Sequence, residues 1–342
     1  MIKKGDVRPI KAKPVPVAKV LKSEQEDVPA ILRPQTLQSY IGQTNVKEHV
    51  QLMIDAATQR KSVLDHILIH GGPGLGKTTL AGIVAREMSG QFKVTSGPAI
   101  EKQGDLAALL SSLEFGDILF IDEIHRLRPA VEEILYSAME DYVLDLVVGK
   151  GPTAKSMRIT IPDFTLIGAT TKPNMLSSPL RDRFGSMIKL DYYSESEMED
   201  IIVRSAEILG VKLDNEAAVL LASCCRRTPR IANRLLKRVR DFCLVKEIDF
   251  ATRVDIESTL IILGIDNLGM NKLDRDLLDV VLNKFDGGPV GLKAISAAMQ
   301  EDEDTLAEIC EPYLMQVGFL QRTHRGRIVT DEGKKYLLVN PI

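Results

Sequence analysis

Gly71-Gly72-Pro73-Gly74-Leu75-Gly76-Lys77-Thr78 satisfies the spacing GxxxxGK[ST], and Thr79 follows it. Residues without a Cβ let consecutive backbone N–H groups curl round a phosphate, and a helix starting at the lysine adds the positive end of its dipole. Gly74 and Gly76 belong to that curl, Lys77 reaches β- and γ-phosphates, and the Thr78 hydroxyl suits a magnesium ion. Further along, the apolar run Ile118-Leu119-Phe120-Ile121 ends in Asp122-Glu123. Asp122 would hold the shell of the Mg²⁺, and Glu123 would polarise an attacking water as general base. Together these residues predict hydrolysis of a nucleoside triphosphate, with ATP and Mg²⁺ as ligands.

Two more groups fit that chemistry. Gly168-Ala169-Thr170-Thr171 closes the next apolar run, where a polar side chain can line up the γ-phosphate or the water; Thr171 is preferred and Thr170 stays open. Ser178-Pro179-Leu180-Arg181-Asp182-Arg183-Phe184-Gly185 carries arginines outside any strand pattern. An arginine supplied by a neighbouring molecule offsets charge developing on a transferred phosphoryl group, worth about 10³–10⁵ in rate; a surface ion pair is the plainer alternative. From Arg226 to Arg240 there are seven basic residues and no acid, with Arg230, Arg234 and Arg238 forming one helical stripe that either faces a phosphate or is solvated.

Positioning these residues needs particular elements. Short β-branched runs (Ile67-Leu68-Ile69, Ile118 to Ile121, Thr165-Leu166-Ile167) alternate with helical stretches over residues 27–193, which predicts a parallel sheet covered on both faces. Over 194–264 the β runs vanish and apolar residues recur at helical spacing, as in Leu235, Leu236, Val239, Phe242 and Cys243: a small helical domain. Residues 265–342 read as three helices, the last two Leu292 to Met299 and Thr305 to Gln316, then a hairpin around Thr323-His324-Arg325-Gly326, which makes a winged helix. Residues 1–26, with seven basic residues, three acidic ones and three prolines, read as a mobile basic tail without an assigned role.

Composition narrows the class. The chain has 342 residues, 44% hydrophobic and 27% charged, enough for several packed domains. No apolar run reaches the roughly 18 residues that span a bilayer, and the basic, proline-punctuated start holds no secretory core, so a cytoplasmic protein without membrane contact is expected. Cys224, Cys225, Cys243 and Cys310 show neither metal nor disulfide spacing and are expected reduced in the core. With 44 basic against 47 acidic residues the net charge is −3, so any nucleic-acid binding must come from segregated charge.

With these motifs in hand the chain resembles the AAA+ ATPases, and among them the motors that drive branch migration of Holliday junctions. The resemblance runs through Ile31-Leu32-Arg33-Pro34, Tyr40-Ile41-Gly42-Gln43, Leu119 to Leu127, Gly168 to Thr171, Ser178 to Gly185, Thr228-Pro229-Arg230-Ile231-Ala232-Asn233-Arg234-Leu235-Leu236 and Phe319-Leu320-Gln321-Arg322-Thr323. Everything except the first twenty-five or so residues is covered. It implies an AAA+ P-loop ATPase domain, a small helical lid and a C-terminal winged helix.

By position, the resemblance implies that Leu32 and Arg33 help hold the nucleotide, that Gly74, Lys77, Thr78 and Thr79 cradle its phosphates, and that Tyr193 packs near the base. It implies that Glu140, Asp141 and Tyr142 line the same pocket, that Arg183 is a finger inserted into a neighbour's site, and that Arg230 reports nucleotide state. It further implies a homohexameric ring on duplex DNA, a junction-binding partner protein docked on the hairpin 144–161, and a resolvase working alongside. His324 and Lys172 stand where the family often has Pro and Arg.

Contact with DNA is expected through the wing. The third helix of the winged helix carries Glu301, Asp302, Glu303, Asp304, Glu308 and Glu311, which phosphates would repel, whereas the wing concentrates Arg322, Arg325 and Arg327. That predicts backbone contact without base readout, as a sequence-blind translocase requires. A competing reading is a nucleotide-controlled DNA-binding switch that hydrolyses slowly to change state.

Overall fold

A computed structural model, describing residues 30–148 and 155–340, brings the β-branched runs together in one sheet. In chain order the first part holds α1 (Thr44–Arg60), β1 (Ile67–Gly71), α2 (Lys77–Glu87), β2 (Phe92–Ser96), α3 (Gln103–Ser111), β3 (Ile118–Asp122), α4 (Pro129–Glu140), β4 (Val143–Val148), β5 (Lys155–Thr160), β6 (Thr165–Thr170), α5 (Ser178–Arg181) and β7 (Ser186–Leu190). Five strands pair side by side in the order β2-β3-β6-β1-β7, every neighbouring pair parallel. Parallel strands need both faces covered, and Ile67, Leu68 and Ile69 of β1 and Ile118 to Ile121 of β3 are accordingly buried throughout. Leu106 and Leu110 of α3 and Leu135 and Ala138 of α4 share one core cluster with Leu119, Ile121 and Leu166.

The pair β4–β5 stands apart as an antiparallel hairpin, with Leu144 opposite Ile159 and Asp145 opposite Arg158. Its expected turn, Gly149-Lys150-Gly151-Pro152, lies outside the described residues, as does the basic tail 1–26.

The chain divides into two units between Asp191 and Tyr192. The second holds four helices, α6 (Glu195–Leu209), α7 (Asn215–Cys224), α8 (Pro229–Lys246) and α9 (Arg253–Leu263). After them come α10 (Lys272–Asp279), α11 (Leu292–Met299), α12 (Glu303–Thr305), α13 (Glu311–Gln316), β8 (Leu320–Thr323), β9 (Gly326–Val329) and α14 (Asp331–Val339). α10 runs on through one wider turn, Val280–Lys284, and a similar turn, Leu306–Cys310, joins α12 to α13. Leu277, Leu278, Ile295, Leu306, Leu314, Leu320, Val329 and Tyr336 form one core under the β8–β9 wing.

The helical part and the winged helix are joined by buried polar contacts. Arg226 pairs with Asp274, donates from Nε to the Gly269 carbonyl at 2.8 Å, and lies over the Tyr313 ring at 4.8 Å. Asp274 is wholly buried and also caps α10, accepting the Asn271 N–H at 2.9 Å. A buried pair of this kind confers geometry rather than net stability, because both charges have left water. All four cysteines are buried and free, and burial pushes the thiols up, Cys224 to about 11 and Cys310 to about 12, so they are packing residues. Among the described residues no helix is long and apolar enough to cross a membrane.

Candidate active site

The phosphate loop leaves the carboxyl end of β1 and enters α2 at Lys77. Gly74 (φ 79°) and Gly76 (φ 100°) sit in the left-handed region, where a side chain is strained, and a Cβ at Gly76 would also stand 3.0 Å from the hydroxyl of buried Tyr40. The first backbone bond of the helix runs from Leu80 N–H to Gly76 O at 2.9 Å, so the amides of Thr78 and Thr79 head the helix in the place where an anion is received. Lys77 Nζ donates to the carbonyls of Gly71 (3.0 Å) and Gly72 (2.8 Å), which folds its ammonium back over the loop.

Strand register brings the other residues to the same edge. His70 of β1 is level with Thr170 of β6, and Ile121 of β3 is level with Gly168 of β6, so Asp122-Glu123, Thr170-Thr171 and the loop all leave the carboxyl ends of three adjacent strands. That edge is where open α/β sheets bind ligands. Asp122 Oδ1 accepts the Glu123 N–H at 2.9 Å, and Glu123 has left-handed φ (46°), turning its side chain out to meet Arg126 at 3.0 Å. The Thr78 hydroxyl and the Asp122 carboxylate are hard oxygen donors of the kind Mg²⁺ takes, and a backbone cradle with an ammonium suits a triphosphate, so the residues present fit MgATP.

The two threonines differ. Thr170 is buried, its Oγ1 lying 2.9 Å from His125 Nδ1 and accepting the Lys172 N–H at 2.9 Å, whereas Thr171 is exposed just beyond the strand end. His125 was not singled out by spacing; its place two residues after Glu123 was the available signal. Leu32 is buried in a short 3₁₀ turn, Ala30–Leu32, and Arg33 beside it is half-buried.

Arg183 is on the other edge. It precedes β7, whose first residue Ser186 is level with Ile67 at the start of β1, and five residues at about 3.3 Å separate that end from the phosphate loop. Its guanidinium donates to Glu140 Oε2 (3.1 Å) and the Pro179 carbonyl (2.8 Å) and lies 4.6 Å from the centre of the Tyr136 ring. Glu140, Asp141 and Tyr142 share this edge. His66, one residue before β1, lies 3.0 Å through Nε2 from the Met139 carbonyl and accepts the Leu166 N–H on Nδ1 at 2.9 Å, and Tyr142 packs on His66 and Phe164. Within one subunit the length of β1 lies between Glu140, Asp141 and Tyr142 and the Lys77 loop, so the structure does not bring these three to the phosphate loop of their own chain. Burial holds the His66 imidazole below its usual range, and its two bonds need the neutral ring.

In the second unit Tyr193 is buried, with its N–H donating to the Arg227 carbonyl at 3.2 Å, and Arg230 is the second residue of α8, half-buried. Of the predicted basic stripe, Arg234 is exposed and Arg238 pairs with Asp241 at 3.1 Å.

On the wing, Arg322 and Arg325 are exposed, but Arg327 corrects the prediction. β9 is the inner strand, flanked by β8 and by a bridge to Val290, and Arg327 turns inward to donate to both oxygens of Glu311 at 2.7 and 3.2 Å. Glu311 is buried, so the acidic third helix shows five of its six carboxylates to solvent and spends the sixth holding the wing.

A parallel sheet with a phosphate loop on β1, an Asp-Glu pair on β3 and polar residues at the end of β6, followed by a helical unit and a winged helix, defines an AAA+ P-loop ATPase. Family models agree over nearly the whole described chain: the Holliday junction DNA helicase RuvB P-loop domain over residues 32–190, the RuvB AAA lid domain over 193–266 and the RuvB C-terminal winged helix domain over 267–338. The chain belongs to the RuvB family. It is 54% identical to the Holliday junction branch migration complex subunit RuvB of Fusobacterium nucleatum (89% of this chain, 92% of that one) and 53% identical to that of Kosmotoga olearia (92% of each). The solved Holliday junction branch migration motor RuvB of Thermotoga maritima superposes with a TM-score of 0.83 at 49% identity, covering 90% of this chain and 98% of that one.

Proposed function

We propose that this chain is the ATP-driven motor subunit of a homohexameric ring that pulls duplex DNA, migrating the branch point of Holliday junctions in recombination and repair. It would work in the cytoplasm with the junction-binding protein RuvA, docked on the 144–161 hairpin, and with the resolvase RuvC. The observation that carries this reading is the separation of Arg183 from the phosphate loop by the length of β1. An arginine so placed has no access to its own γ-phosphate and serves a pocket only when a second copy presents one.

In this reading Gly74, Gly76, Lys77, Thr78 and Thr79 hold the triphosphate, and Leu32, Arg33 and Tyr193 hold the nucleoside. Thr78 and Asp122 hold Mg²⁺, which when bound neutralises phosphate charge. Glu123 takes a proton from the attacking water, Thr171 orients that water, and Thr170 braces the strand end through His125. Arg183 of one subunit meets the γ-phosphate of the next, and Glu140, Asp141 and Tyr142 come to that neighbouring pocket along the same edge. Arg230 senses the nucleotide; the Arg226–Asp274 joint, only four residues earlier, carries the resulting movement into the winged helix. Arg322 and Arg325 hold DNA by its phosphates, without base readout. The chain then reads as a tail (1–26), a large ATPase domain (27–193), a lid (194–264) and a DNA-holding head (265–342).

The test is a synthetic four-way junction incubated with the chain, RuvA, Mg²⁺ and ATP. ATP-dependent separation into two duplexes is the expected result. Hydrolysis with no strand separation would instead favour the nucleotide-controlled DNA-binding switch.

A further inference from the structure

Arg183 is held more closely than an exposed arginine needs to be, and its main support is an aromatic ring to which no role has been given. We propose that Tyr136 is a positioning residue for the arginine finger, its ring forming the platform on which the Arg183 guanidinium is presented to the neighbouring subunit. The inference rests on Arg183 being that finger.

Tyr136 lies on α4, one turn after Glu132 and one turn before Glu140, so the three share a face of the helix. Its ring centre is 4.6 Å from the Arg183 guanidinium carbon, while Pro179 O and Glu140 Oε2 take the two terminal nitrogens. Arg183 Nε is buried with no hydrogen-bond partner, an arrangement sustained by the ring packed against the guanidinium rather than by polar contacts alone.

The ring is itself fixed from below. Glu132, a buried carboxylate, accepts from Ser177 Oγ at 2.6 Å and from the Tyr136 hydroxyl at 3.2 Å, and the two hydroxyl oxygens are 3.1 Å apart. Ser177 is also the N-cap of α5, accepting the Leu180 N–H at 3.3 Å, and α5 ends two residues before Arg183. One buried carboxylate thus ties the hydroxyl of the ring to the N-cap of the short helix that leads into the finger. A long arginine side chain otherwise spreads over many rotamers, and each unproductive one lowers the rate at which a γ-phosphate meets it.

The experiment measures ATP turnover of the full-length chain on duplex DNA with Mg²⁺. Tyr136→Leu, which removes the ring, is expected to lower kcat about ten-fold and leave KM for ATP nearly unchanged; Tyr136→Phe, which keeps it, should stay within about three-fold of wild type. Each variant is then mixed with an excess of Glu123→Gln, whose own pocket is inactive but whose finger is intact. Because a Tyr136→Leu subunit in a mixed ring receives its neighbour's sound finger, its turnover should rise several-fold. Arg183→Ala in the same mixture should be rescued likewise. Rescue of Arg183→Ala without rescue of Tyr136→Leu overturns the proposal, since Tyr136 would then act on its own subunit's pocket. Failure to rescue either overturns the finger reading on which it stands, and equal losses in Tyr136→Phe and Tyr136→Leu also overturn the platform role.

Discussion

Arg327 and Arg322 face one another across the wing hairpin, yet the structure predicts that replacing them has opposite consequences. The Arg327–Glu311 pair has side-chain exposures of 11% and 1% and two hydrogen bonds. Arg327→Ala leaves the Glu311 carboxylate inside the winged helix without its cation, which costs about 3–5 kcal/mol. In a unit of this size each kcal/mol lowers the melting midpoint by about 2–4 °C, so a fall on the order of 10 °C follows. Arg322→Ala and Arg325→Ala remove exposed cations and should move stability by no more than about 0.5 kcal/mol. Each should instead lower the slope of log affinity for duplex DNA against log salt by about one, equally for unrelated sequences. Thermal unfolding paired with DNA titrations over a salt series reads both. Replacing the pair together, as Arg327→Met with Glu311→Leu, should recover most of the lost midpoint because no charge is left stranded. The reasoning fails if Arg327→Ala melts like wild type while losing a counterion from the salt slope.

Three further outcomes are expected. Lys77→Ala should abolish ATP turnover and weaken nucleotide binding measured by a fluorescent analogue; an unchanged rate would refute the phosphate-site assignment. Thr171→Val should reduce turnover at least ten-fold with the melting midpoint unmoved, whereas Thr170→Val, which breaks the bonds to His125 and Lys172, should also cost about 1–3 kcal/mol of stability, read as a lower midpoint. Because His66 is held neutral with its pKa below 6.5, the unfolded chain binds the extra proton first; the stability His66 contributes is complete above about pH 6.5 and declines as pH falls toward the folded value. Unfolding midpoints between pH 7 and 5 should fall more steeply in wild type than in His66→Gln, and parallel curves would count against the neutral bridge.

Chemistry that depends on local backbone geometry was legible along the chain. The phosphate loop needs Gly74 and Gly76 where φ is positive, and Asp122-Glu123 needs a buried strand before it; both conditions are met within a few residues of sequence, so spacing alone found the site and the alternation of elements found the sheet. Helix and hairpin bounds in the winged helix followed from the same local signals. What depends on which neighbour a side chain meets was not legible. Arg322, Arg325 and Arg327 are alike in composition, and only the pairing of β9 between β8 and Val290 turns one of them onto Glu311. Glu140 and Lys77 are alike candidates for one pocket until the register of β1 with β6 and β7 sets them at opposite ends of a strand. Tyr136, Glu132 and Ser177 carry no motif, because their meeting joins residues some forty positions apart through a contact that exists only once α4 and α5 pack. Sequence alone determined the reactive groups and the elements bearing them, since those follow from short-range sterics and periodicity; which groups face each other, and which lie a strand's length from the phosphate loop, was decided by long-range packing that no local spacing encodes.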